Sequence, residues 1–130
     1  MNKILVAVLA MSIAGCARVT PSAVECNSVP SIISNAAACS GRIVHVKAYL
    51  VATRHGAYMA DNPDDGFRQV LGVDIIESGP HAAAAAALLE KLDRAQLGHP
   101  LATIFGEFEG KIEPNSSGGG LTIMVFREVL

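Results

Sequence analysis

The chain has 130 residues, 51% of them hydrophobic, with ten Lys/Arg against twelve Asp/Glu and a net charge of −2. That length holds one domain with a modest core. The slight acidity and the lack of a basic run argue against a partner bound through phosphates, nucleic acid above all.

Met1–Lys3 is short and carries one positive charge, Lys3, and Ile4–Ala14 is an eleven-residue apolar run. A run of that size suits the central region of an export signal, whereas a helix needs about 20 residues to span a bilayer. It ends in Ile13-Ala14-Gly15-Cys16. An aliphatic residue, two small residues and a cysteine resemble the lipobox of bacterial lipoproteins. The small residues admit the peptide bond to the signal peptidase, and the thiol takes a diacylglyceryl thioether. The resemblance implies that residues 1–15 are removed, that Cys16 bears lipid, and that residues 16–25 tether the domain. It also implies a location in the cell envelope. Ala17 rather than Asp after the cysteine implies the periplasmic face of the outer membrane if the host is Gram-negative. Such a protein is anchored to the membrane and does not span it, and several acyl chains hold it firmly. The mature chain would have 115 residues, with nine Lys/Arg against twelve Asp/Glu and a charge of −3.

Three cysteines are present. With Cys16 used by lipid, Cys26 and Cys39 remain as an even pair in an oxidising compartment, which reads as a disulfide. Two free buried thiols are the alternative. There is no Cys-x-x-Cys to suggest redox or metal chemistry.

The domain, residues 26–130, begins with Val29–Ala38, where Pro30 and the Ala36–Ala38 run predict a short helix with proline in its first turn. Arg42–Thr53 is the strongest strand signal: Val44, Val46, Ala48, Leu50 and Ala52 alternate with Ile43, His45, Lys47, Tyr49 and Thr53. Ala57–Ala60 predicts a short second strand, Asp61–Gly66 a turn, and Gln69–Ile76 a third strand. Ser78-Gly79-Pro80 opens a predicted helix over His81–Gln96, capped by Ser78 or Gly79. Six consecutive alanines favour it, Leu88, Leu92 and Ala95 share its apolar face, and Gly98 and Pro100 stop it. Leu101–Lys111 and Leu121–Val129 complete five strands, separated by the glycine-rich loop Glu113–Gly120.

Three strands, a helix and two strands (β-β-β-α-β-β) resemble the OB-fold, a mainly β, five-stranded Greek-key barrel with one helix at its end. Gly41-Arg42-x-Val44-x-Val46, Tyr49-Leu50 and His55-Gly56-x-Tyr58-Met59-x-Asp61 look like small envelope OB domains. Gly106 and Gly110 suit a sharply curving strand. Another small α+β domain, with the strands paired differently, is the alternative. By the resemblance, the binding face lies across the second and third strands and carries Arg54, His55, Tyr58, Arg68 and Gln69, with the Asn115–Gly120 loop beside it. Nucleic-acid binders of this type present stacking aromatics in a basic groove. Here there is no Trp, and Tyr58 and Phe67 are the only aromatics offered, which suits a protein, peptide or glycan partner better.

No residue is assigned to catalysis, a metal or a cofactor. Asp61–Gly66 begins like a calcium loop, but Pro63 and Gly72 stand where an EF-hand needs ligands. His45, His55, His81 and His99 lack zinc-site spacing, and His45 is placed on the outer face of its strand. Glu107 and Glu109 alternate on one strand face and read as its solvent side. The expectation is a non-catalytic binding or accessory module with a shallow face. The alternatives are a passive structural envelope component and an envelope hydrolase, whose mark would be a pocket bringing acids such as Asp61 or Glu107 to a histidine.

Overall fold

The computed structural model describes residues 24–62, 64, 69–115 and 120–129. Residues 1–15, Cys16 and Arg68 lie outside that set. Two short helices, α1 (Val29–Ser34) and α2 (Ala36–Cys39), precede strands β1 (Ile43–Thr53), β2 (Gly56–Ala60) and β3 (Val70–Ile75). Helix α3 (Ala82–Gln96) then leads to β4 (Leu101–Pro114) and β5 (Leu121–Val129). The strands close in the order β1-β2-β3-β5-β4. This is a small OB-like barrel, with α3 the one long helix among the described residues.

Closure rests on β1. Its alternation buries Val44, Val46, Ala48, Leu50 and Ala52 and leaves Ile43, His45 and Lys47 exposed. β4 pairs antiparallel along the whole strand, Ile43 opposite Lys111 through Thr53 opposite Leu101. β2 takes the other edge only from Tyr49 to Thr53. The remaining free edge accepts the chain before α1, where the Lys47 amide donates to the Asn27 carbonyl. β3 and β5 pair in parallel, the one parallel pairing in the described barrel. Leu50, Met59, Leu71, Phe108, Ile112 and Ile123 fill the interior. Full burial of each such side chain stabilises by about 1.5–3 kcal/mol relative to leaving it exposed.

Cys26 and Cys39 are bonded and buried, and tie α2 to the segment preceding α1. Arg42, at the entry to β1, donates to the Val24 carbonyl and contacts the Cys26 sulfur. The expected single helix over Val29–Ala38 is broken at Asn35, whose φ of −122° and ψ of 41° are non-helical. The Asn35 side-chain amide donates to the Ser31 carbonyl. Such local bonding lets Asn compete with the helical ladder. A capping box between Ser28 and Ser31 starts α1.

Three further expectations need correction. Neither Ser78 nor Gly79 caps α3. His81 holds the N-cap position without a side-chain hydrogen bond, because Gly79 adopts a φ of 87° and its carbonyl accepts from the Ala82 amide in a turn. Ala95 is exposed, and the buried face is Ala85, Leu88 and Leu92, with Gln96 rather than Ala95 meeting β1 in the last turn. β4 continues to Pro114, where the Asn115 amide meets the Gly120 carbonyl.

Candidate functional site

The face expected to bind is built in part. Arg54 and His55 form the tight β1–β2 turn and are exposed, with the His55 amide donating to the Thr53 hydroxyl. Tyr58 lies on the outer side of β2, opposite Val51, and partial desolvation pushes its phenol above the ordinary range. Gln69 is exposed just before β3 and borders a shallow cleft with Ile33, Ala36, Val70, Gly120 and Leu121. The four described residues of this face are not gathered. Ala60 pairs with Val70 and Thr53 with Gly56, so Gln69 and the Arg54–His55 turn stand at opposite ends of β2. Four residue steps of strand separate them, about 13 Å.

The polar cluster that the fold does assemble sits on the outer side of β1, β4 and β5. Register places His45 opposite Glu109, and Glu109 opposite Arg127. His45 Nε2–H donates to Glu109 Oε2 at 2.8 Å, and Arg127 Nε–H donates to Glu109 Oε1 at 3.1 Å. His81, at the start of α3, brings Nε2 to 3.8 Å from the same Oε1, and His45 Nδ1 lies 3.9 Å from Glu107 Oε1. The Glu109 side chain is only 15% exposed, so it is not the bare solvent-side acid expected from alternation. It is covered because a bulge at Glu109/Gly110 shifts the register of β5: Arg127 pairs with Glu109 and Val125 with Gly110, leaving Phe126 between them. The Phe126 and His81 rings lie 6.5 Å apart. Ile43, Ser78, Pro80, His81, Glu109 and Phe126 line a cleft of about 310 Å³. That is the lower end of small-molecule pockets, and Ile43 on its rim is 63% exposed.

Chemically, Glu109 is an acceptor. The hydrogen bond from Arg127, helped by that from His45, holds its carboxyl below the usual carboxylate range, although burial pushes the other way. Among the described residues, no hydroxyl or thiol is hydrogen-bonded to His45 or His81, and no three His, Cys, Asp or Glu side chains gather as metal ligands do. Asp61 lies just past β2, outside this cluster.

A carboxylate whose folded pKa is depressed contributes stability above its unfolded pKa, about 4.3 for Glu, and loses it as pH falls through the folded value. Glu109→Gln is therefore expected to lower stability at pH 7 by about 1.5–3 kcal/mol, the worth of hydrogen bonds to a charged group. The gap between variant and wild type should close as pH falls below the ordinary glutamate range. Melting curves from pH 7 to pH 3 measure this, and a gap independent of pH would show that the ladder contributes nothing through charge.

Sequence reasoning placed His45 outward and His81 near the end of the helix, but it did not bring them to one acid. The pairing of β1 with β4, and of β4 with β5 across a bulge, is not written in any local spacing. Against known proteins, the chain matches no protein family, no curated protein and no solved structure.

Proposed function

We propose that the chain is a lipoprotein of the cell envelope, anchored through Cys16, whose barrel is a non-catalytic binding or accessory module for a protein, peptide or glycan partner. The lipobox-like Ile13–Cys16 supports the anchor. The Cys26–Cys39 bond supports an oxidising compartment, and it leaves Cys16 as the one cysteine free for lipid. Among the described residues no helix is long and apolar enough to cross a membrane.

The observation that carries the binding-module reading is how Glu109 is used. Both of its oxygens are hydrogen-bonded, to Arg127 and His45, so the carboxylate serves to join three strands. A second reading has support in the same place. His45 stands between Glu107 and Glu109 beside the cleft, the kind of approach of acid to histidine expected of a hydrolase that activates water.

Crosslinking in intact envelopes, followed by recovery of the tagged full chain, separates the readings. The module reading expects one recurrent crosslinked partner, retained when His45 is replaced by Gln. Turnover of an envelope ester, amide or glycan by the wild type, lost in H45Q, would establish the hydrolase instead. Repeated recovery of the chain alone would favour a passive structural component.

A further inference from the structure

Helix α3 packs chiefly on β4 and β5. On its other side, toward β2 and β3, a groove of about 240 Å³ stays open. Ala52, Ala57, Val73, Ile75, Leu89 and Leu92 give it an apolar floor. Ala52 and Ala57 face each other on β1 and β2 and are too small to fill it. Small-molecule pockets run from about 300 to 1,000 Å³, so this groove is sized for one side chain rather than a whole ligand.

Two carboxylates stand over the apolar floor, Asp93 from α3 and Asp74 from β3. Both residues are exposed, and among the described residues neither carboxylate has an ion-pair or hydrogen-bond partner. The cations of α3 are engaged elsewhere, Lys91 with Glu128 and Arg94 with Glu90. Arg54 and His55, in the turn at one end of the groove, pair with neither acid. The Gln96 amide donates to the Ala52 carbonyl, which leaves its Oε1 as a further acceptor on the groove. The Thr53 hydroxyl is turned to the Gly56 carbonyl. Among the described residues no third acid joins the pair to hold a metal ion.

We propose that this groove docks a peptide partner through one arginine side chain, with the guanidinium between Asp74 and Asp93 and the methylene stem on Ile75 and Leu89. The inference rests on the binding-module reading and gives the partner its chemistry. Charge complementarity selects the occupant. A guanidinium presents several N–H donors in one plane to two carboxylates and an amide oxygen, and its stem covers apolar surface. An uncharged glycan would leave both carboxylates unpaired.

The probe is the blocked peptide acetyl-Leu-Arg-Leu-amide, titrated into the nitrogen-15-labelled full chain in detergent and followed by its amide shifts. The proposal expects saturable shifts at Thr53–Ala57, Val73–Ile75 and Leu89–Gln96. The same peptide with citrulline keeps the shape and loses the charge, and should bind about tenfold more weakly; D74N and D93N should each weaken the arginine peptide about fivefold. The citrulline comparison leaves the protein unaltered, so it decides the matter even where a variant melts lower. Equal binding of the two peptides, shifts confined to another face, or no saturable binding would overturn the groove as an arginine site. Crosslinking in envelopes judges the module reading separately. A partner lost in D74N/D93N supports the proposal, and one retained by that double variant overturns the arginine while leaving the module. Recovery of the wild type alone removes both.

Discussion

Replacing Gly110 with alanine is expected to destabilise the barrel by about 3 kcal/mol, the upper end of the usual overpacking range. Gly110 faces inward on β4, next to the bulge and opposite Val125. A Cβ there would lie 2.5 Å from the Met124 carbonyl oxygen and 2.8 Å from a side-chain carbon of Ile123. The first of these is backbone in the neighbouring strand, so relief requires β5 to move, and β5 also carries Arg127 to Glu109. For a domain of about 100 residues the melting temperature should fall by roughly 12–24 °C. Gly106→Ala is the comparison. Its Cβ would meet the end of the Glu128 side chain at 2.8 Å and the Phe108 ring at 3.3 Å. Glu128, 15% exposed, can swing away at the cost of its ion pair with the half-exposed Lys91, which is worth about 1 kcal/mol. Thermal melts of the two variants should therefore differ widely. Equal melts would mean that β5 yields as easily as a glutamate side chain.

Loss of the Cys26–Cys39 bond is expected to cost about as much. The bonded residues are 13 apart in sequence, and closing a loop of that size stabilises by about 3 kcal/mol on the chain-entropy model. Both residues are buried in the core with Val29 and Ile32, so the bond also holds α1 and α2 against the free edge of β1. Dithiothreitol should lower the wild-type melting temperature by roughly 12–24 °C. The double variant C26A/C39A should melt near the reduced wild type and ignore the reductant. A wild-type melt unchanged by reduction would remove the structural role given to the bond.

Much of this fold was legible because its signals are local. The alternation from Ile43 to Thr53 fixes which side chains of β1 face inward, and the six alanines with Gly98 bound α3 to within a residue at each end. The cysteine pair follows from counting once Cys16 is set aside. What was not legible depends on pairing between distant strands. Glu109 looks like Glu107 in the sequence, yet the bulge opposite Phe126 covers one and leaves the other more open. The break at Asn35 and the turn at Gly79 each hang on one hydrogen bond, which propensity does not resolve. Of the expected binding residues, Tyr58 lies on β2, while the Arg54–His55 turn and Gln69 stand at its opposite ends.

The central proposal is that lipid on Cys16 makes the barrel an envelope module, and its most direct test is the mass of the mature amino-terminal peptide. Protein recovered from membranes of its own host is digested, and the first peptide is sequenced by mass spectrometry. The account predicts a chain beginning at Cys16 and carrying a diacylglyceryl thioether, with Cys16→Ser left unprocessed and lipid-free. A chain that retains Met1, or that is cleaved elsewhere with Cys16 as a free thiol, would contradict it.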